Sequence, residues 1–274
     1  MTHKEYLDID AVNASRIIDF IRSERHYWAK WLNPDKPKEP RRTSLEMGTA
    51  VHSAILEGKE DWHVKPDLDM RYNKNKDIVS EWEASLPEDP FILSADEAHK
   101  VRSMIDNLRQ HDLDHFMWLT RKKDDAAIEK CYKEHVLHWQ SSYGFACKAK
   151  LDMLMIVKDK TVRPILVDVK TTRDGSYAGM RGSVKTYRYD IQMAFYAYAA
   201  MENGLVDEFP SCWLACVENV YPFAPVYYGF HESDLLSAQV EIREALHNMR
   251  LAHEHNASFI ASDWASYPSC KLDL

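Results

Sequence analysis

The residues best suited to chemistry are two carboxylates and a lysine in the stretch Gly144 to Thr172: GFACKAKLDMLMIV, a polar connection KDKTVRP, then ILVDVKTT. Read with period two, Phe145, Cys147, Ala149, Leu151, Met153, Met155 and Val157 share one face of a strand, and Lys148, Lys150 and Asp152 share the other. In the second piece Ile165, Val167 and Val169 share a face opposite Asp168 and Lys170, and Pro164 suits the strand's start because it has no N–H to donate. A hairpin centred on the connection sets Asp152 opposite Asp168, with side chains about 5 Å apart. Two facing carboxylates repel unless a cation lies between them, and hard ions such as magnesium want oxygen ligands of this kind. Lys170, two residues beyond Asp168, is within reach of an attacking water. Carboxylates that hold a metal, with a cation that steadies the nucleophile or the developing phosphorane charge, suit phosphodiester hydrolysis. The bland alternative is a hairpin with a solvated charged face.

At 274 residues and 45% hydrophobic content, the chain can bury a sizeable core. No apolar run approaches the ~20 residues of a membrane span. The start MTHKEYLDID is too polar and acidic for a signal peptide. A cytoplasmic protein folded as a single domain over residues 1–274 is expected, with no membrane partner. The five cysteines are Cys131, Cys147, Cys212, Cys216 and Cys270, and they read as free thiols rather than a zinc site. A net charge of −8 does not advertise nucleic-acid binding, although a local basic groove can bind phosphates inside an acidic protein.

Several elements must position the hairpin. Ser15 is expected to cap a helix bearing Ile17, Ile18, Ile21, Trp28 and Trp31, with Arg22, Arg25, His26 and Lys30 on its basic face. NPDKPKEPRR is a loop whose Arg41 and Arg42 either track phosphate or are solvated. Thr43 and Glu46 read as a capping box opening a helix that stops at Gly58. On it Gly48 and His52 share a face, so that missing bulk could bring His52 to the sheet. MRYNKNK, residues 70–76, reads as a loop, and Ser94 with Glu97 as a second capping box. Residues 127–139 read as one or two strands, with Glu129 the upstream acid best placed to join the site. TTRDGSYAGMRGS reads as a loop. A helix from about Tyr187 to Asn203 carries Gln192 and Tyr196, one turn apart and able to bond phosphate or protein. Strands at 211–218 and 225–230 and a helix from Ser233 complete an α/β chain. No G-x-x-x-x-G-K-[ST] is present, so the sequence encodes no ATP-driven motor of that kind.

In order, G-T-A-V-H at 48–52, C-K-A-K-L-D at 147–152, V-D-V-K-T-T-R-D at 167–174 and Y-D-I-Q-M-A-F-Y at 189–196 resemble the nuclease domain of the RecE (exodeoxyribonuclease VIII) family. That family lies in the RecB-like branch of the PD-(D/E)-x-K nucleases. The resemblance implies a mixed central sheet flanked by helices. It also implies magnesium-dependent digestion of double-stranded DNA from its ends, 5′-to-3′, leaving single strands for recombination. Manganese is a possible substitute. Carried over, His52, Asp152 and Asp168 would be metal ligands with the Val169 carbonyl, Lys170 would position water, and Glu129 would match an upstream acid. Gln192 and Tyr196 would lie near the DNA backbone, joined by basic residues drawn from Arg25, Arg41, Arg42 and Lys148. Leu151 stands where the family often has proline. The cysteines do not match relatives with an iron–sulfur cluster, so none is expected. A toroidal homo-oligomer, a tetramer, and a single-strand annealing protein are the implied partners. The competing classes are a catalytically inactive binding module of the same fold and an endonuclease; the acids and the lysine are all present, which disfavours the first.

Overall fold

The computed structural model describes residues 3–37, 43–88, 90–120 and 125–254, so Arg41, Arg42 and Cys270 lie outside the described residues. Its helices are α1 (His3–Asp8), α2 (Ala14–Arg22), α3 (Glu24–Tyr27, continued by a π turn Trp28–Leu32), α4 (Thr43–His52, continued by a π turn Ser53–Glu57), α5 (Asn73–Ala84), α6 (Ala95–His115), α7 (Tyr177–Tyr187), α8 (Tyr189–Glu202) and α9 (Glu232–Glu254). The strands β1 (His63–Val64) and β2 (Ile92–Leu93) form a small parallel pair. The main sheet has the order β3 (Ile128–Gln140), β4 (Ala146–Val157), β5 (Ile165–Thr172), β6 (Ser211–Glu218) and β7 (Pro225–Gly229). Only β5 and β6 run parallel, which makes the sheet mixed. One face is covered by α2, α8 and α9 through Ile17, Phe195 and Leu246, and the other by α4 and α6 through Val51, Met104 and Leu108. This is the expected α/β architecture, a central mixed sheet between helical layers.

The expected hairpin register holds. Met153 faces Val167, Leu154 faces Leu166 and Met155 faces Ile165, so the next step along would set Asp152 opposite Asp168. The ladder stops at Met153, and the two strands part there. Beyond the fork, the free edge of β4 is taken by Val12, whose N–H donates to Ala146 O at 2.8 Å and whose carbonyl accepts from Lys148 N at 2.8 Å.

The expected single apolar face of β4 does not hold. Cys147, Ala149 and Leu151 pack with α8 on one side of the sheet, whereas Met153 and Met155 pack with α4 and α6 on the other. β3 switches at the same level, because Leu137 and Tyr132 both lie on the α8 side although they are five positions apart, an odd spacing. The cause is Glu134, which sits at φ 50°, a left-handed conformation that costs a non-glycine residue about 1–3 kcal/mol. Both strands change face together, so their pairing continues in register on either side, with Lys133 on Met153 and His135 on Leu151.

Other expectations divide. Ser94 and Glu97 form the reciprocal capping box, and Gly58 is left-handed at φ 71° after the α4 extension. The side chain of Thr43 lies outside the described residues. Asn13 rather than Ser15 caps α2, accepting Arg16 N–H at 2.9 Å. Ser23 then breaks the expected long helix and caps α3. Residues 73–76 open α5 rather than forming a loop. The glycine-containing stretch after Lys170 holds α7, capped by Ser176. Gly179 misled as a loop signal: a Cβ there would lie 2.4 Å from Asp174 Cγ, so glycine serves close packing inside the helix.

Gly48 does what its spacing suggested. A Cβ on it would sit 3.2 Å from Thr171 Oγ1, so α4 runs close against β5 and carries His52 to the fork. Gly48→Val should therefore cost about 2 kcal/mol of stability through overpacking. A urea midpoint equal to that of the wild-type chain would show that α4 can shift without cost.

Candidate functional site

The fork between β4 and β5 gathers the chemistry. As β5 leaves β4, its Val169 backbone loses a ladder partner and side chains replace it. Asp152 Oδ2 accepts the Val169 N–H at 2.7 Å, and His52 Nε2 lies 2.5 Å from Val169 O. A carbonyl only accepts, so Nε2 carries the proton. In the neutral ring Nδ1 then presents a lone pair toward Asp152 Oδ2, 3.5 Å away. Two acceptors facing each other call for a cation between them.

A third acceptor is close. Donor atoms of His52, Glu134 and Asp152 all lie within 4.8 Å of one another. Glu134 comes from β3, where the flanking pairs set it across from Asp152. It also pairs with Lys150, which holds it in place. The same counting that sets Asp152 opposite Asp168 would have set Glu134 opposite Asp152, had it been applied to the tight turn after Gln140.

Asp168 stands on the other side of Asp152 and is 1% exposed. Its Oδ1 accepts Gln192 Nε2 at 3.2 Å. Its Oδ2 is buried and receives no hydrogen bond, although Lys170 Nζ lies 2.6 Å away. That ion pair takes one side of Oδ2, and a carboxylate oxygen has a second lone pair to offer a ligand. Lys170 also lies over the Tyr189 ring, 5.2 Å from its centroid.

Charge is distributed unevenly over these groups. Burial pushes the Asp152 carboxyl up to about 6, with the His52 neighbour opposing and the Asp168 charge adding to the rise. Burial pulls the Lys170 ammonium down, but the Asp168 and Asp152 carboxylates more than offset this, so its pKa lies above the usual lysine range. Burial, reinforced by Asp168, likewise pushes the Tyr196 phenol well above its ordinary value.

The donor set fits a hard divalent cation. Carboxylates of Glu134 and Asp152, the open Oδ2 of Asp168 and one imidazole suit magnesium or manganese better than the sulfur-rich or multi-imidazole sites of softer metals. Histidine ligands ordinarily donate their other N–H to an acceptor that fixes the ring, and the Val169 carbonyl plays that part for His52.

The expected site residues therefore separate. His52, Asp152, Asp168 and Lys170 come together. The Val169 carbonyl, expected as a ligand, is engaged by His52 Nε2. Glu129 does not join them: it is paired with Lys160 near the surface, and Glu134 is the β3 acid at the cluster. Lys148 does not face a groove. It is 2% exposed and its Nζ donates to the carbonyls of Tyr6 at 2.6 Å, Leu7 at 3.3 Å and Ile9 at 2.7 Å, anchoring the end of α1. Gln192 is turned inward, donating to Asp168 and, at 2.9 Å, to Tyr196 Oη. Arg25 lies on α3 with its guanidinium 5.9 Å from the Trp28 ring centroid.

A family model described as the PDDEXK-like domain of unknown function (DUF3799) matches residues 13–264. The chain belongs to this PDDEXK-like family. Among solved structures, a candidate exonuclease from Eubacterium rectale is similar, with a TM-score of 0.59 at 15% identity, covering 100% of this chain and 96% of that one. A phage-related exonuclease from Haemophilus somnus 129PT gives 0.36 at 11% identity, covering 92% and 99%. No curated protein matches the chain. The family thus carries the PD-(D/E)-x-K-like fold, and the His52, Glu134 and Asp152 cluster is where a metal-dependent site would be built. Among the described residues no helix is long and apolar enough to cross a membrane.

The raised pKa of Asp152 has a measurable consequence. Between its ordinary value near 3.8 and about 6, the folded metal-free chain binds more protons there than the unfolded chain. Stability from this group is full below that window and is lost as pH rises through it. Asp152→Asn should remove the loss, raising metal-free stability at pH 7.5 by on the order of 2 kcal/mol. It should also abolish the thermal shift produced by magnesium or manganese. A variant less stable than the wild-type chain at that pH would contradict this account of the buried charge.

Proposed function

We propose that the chain is a magnesium-dependent nuclease that digests double-stranded DNA from its ends, 5′-to-3′, leaving single strands for recombination. The observation that carries the reading is the convergence of His52, Glu134, Asp152 and Asp168 beside Lys170 at one strand fork. The resemblance of the ordered motifs to RecE-like nucleases, and the description of the Eubacterium rectale relative as a candidate exonuclease, support cutting from ends.

Glu134, Asp152 and Asp168, with His52 Nδ1, would hold the cation. A divalent ion held there supplies Lewis-acid chemistry, drawing charge from the phosphate and acidifying the attacking water. The residues of the chain divide the remaining work. Lys170 stays protonated at neutral pH, so it serves as a fixed cation and donor rather than as a base. It orients the water that attacks phosphorus and offsets charge that develops as the ester oxygen leaves. Asp168 holds that ammonium in place, and Gln192 holds Asp168. The Val169 carbonyl fixes the ring of His52.

The reading extends to assembly. A ring, most simply a tetramer, would keep an acidic subunit without a motor on one duplex, and a single-strand annealing protein would take up the product. A monomer by light scattering that still digests long duplex without dissociating would remove the ring.

With magnesium, linear duplex should be degraded and closed circular duplex spared, with a 5′ label released first. Lys170→Ala should lower the rate by about 10²- to 10³-fold. Asp168→Asn should be at least as damaging, since it keeps the shape and loses the charge. Cutting of closed circles at a comparable rate would establish an endonuclease, and intact linear substrate with retained DNA binding would establish an inactive binding module.

A further inference from the structure

The catalytic lysine is the inner end of an aromatic stack that runs out to solvent. Lys170 Nζ lies over Tyr189, and Tyr189 stacks on Tyr187 with ring centroids 5.6 Å apart and planes 24° apart. Tyr187 is 60% exposed, so this stack presents an aromatic group to solvent. The two tyrosines flank Arg188, which adopts φ 53° and joins α7 directly to α8. The Arg188 guanidinium is tied to Asp190 at 2.9 Å and Glu241 at 2.8 Å, so the junction is fixed to α8 and α9 and the stack is held in place.

The neighbouring helix carries charge of one sign. Arg181 and Lys185 lie one turn apart on α7, share a side with Tyr177, and are exposed. Neither makes an ion pair among the described residues, in a chain whose net charge is −8, whereas Lys150, Arg163, Lys170 and Arg188 do. Tyr177 and Tyr187 are thus exposed rings at the two ends of α7 with two exposed cations between them along the helix, and rings with cations nearby are what single-stranded nucleic acid uses: bases stack on the rings, and phosphates meet the cations.

We propose that Tyr187 is a stacking platform for an unpaired nucleobase next to the scissile phosphate, with Arg181 and Lys185 on phosphates of the same strand. This rests on the nuclease reading and narrows it: the site takes an end whose terminal nucleotides are single-stranded or frayed, and the base leaves its pair before the cut. A stacked tyrosine gives no base selectivity, because every base has a π-face, so cleavage would be sequence-tolerant.

The test is binding by the wild-type chain, without added metal, to a duplex with a short single-stranded overhang carrying terminal 2-aminopurine, and to the blunt duplex. Overhangs of both polarities are compared. The overhang that binds more tightly should show quenched 2-aminopurine fluorescence. Tyr187→Ala should weaken its binding about tenfold and relieve the quenching, while blunt-duplex affinity is unchanged and Tyr187→Phe behaves as wild type. Replacing both Arg181 and Lys185 by Ala should flatten the salt dependence of overhang binding by about 1.4 in logarithmic slope. Overhang binding and quenching in Tyr187→Ala equal to wild type would overturn the platform while leaving magnesium-dependent cleavage intact. Tyr187-dependent binding without any cleavage in magnesium would instead uphold the platform and overturn the nuclease reading. Absence of both binding and cleavage would overturn both.

Discussion

Three carboxylates stand in a row across three adjacent strands, and their mutual repulsion is the constraint around which this fold is arranged. Glu134 on β3, Asp152 on β4 and Asp168 on β5 occupy successive positions at one level of the sheet. Such a row is costly unless each charge is offset. The outer two have lysines: Lys150 for Glu134 and Lys170 for Asp168. The middle acid has the Val169 N–H, a neighbouring imidazole and a share of the Lys170 charge, and burial raises its pKa in spite of them. The deficit of positive charge is therefore concentrated on Asp152, where the donor atoms converge.

The surrounding elements answer that constraint. The strands part at Asp152, which leaves a backbone amide for the acid to use and a carbonyl to fix the histidine. β3 and β4 change face together at Glu134, accepting a left-handed residue inside a strand. α4 can bring His52 to the fork because Gly48 leaves no side chain against Thr171. Behind the row, Gln192 and Tyr196 on α8 support Asp168 from the buried side.

Much of this was legible in residue order. Alternation and one turn sufficed to align Asp152 with Asp168, because a hairpin's register follows from where its turn is centred. Gly48 and His52 were readable because helical spacing puts them on one side of α4. Glu134 was not found, since Glu129 and Glu134 look alike in an apolar-charged alternation and only the second turn tells them apart. The change of face at Glu134 could not be read at all: it depends on a backbone torsion that a glutamate ordinarily avoids. Lys148 looked like a groove residue because a lysine on a strand is usually solvated, and nothing local revealed that the carbonyls of Tyr6, Leu7 and Ile9 would enclose it. α7 was hidden by its two glycines: Gly179 serves close packing against Asp174 rather than a turn, and Gly182 lies in the helix facing open space.

The anchoring of α1 by Lys148 also bears on how the chain reaches its folded state. The carbonyl of Tyr6 and the ammonium it binds are separated by 142 positions, and Val12 borders the same strand. This segment is synthesised long before its docking edge exists. The seat of α1 is thus a contact of high sequence separation, and contacts of that kind raise the entropy cost of closing the fold. The free edge of β4 beside the fork is thus closed by a segment from the far end of the chain, so closure of that edge depends on the fold having brought the two together.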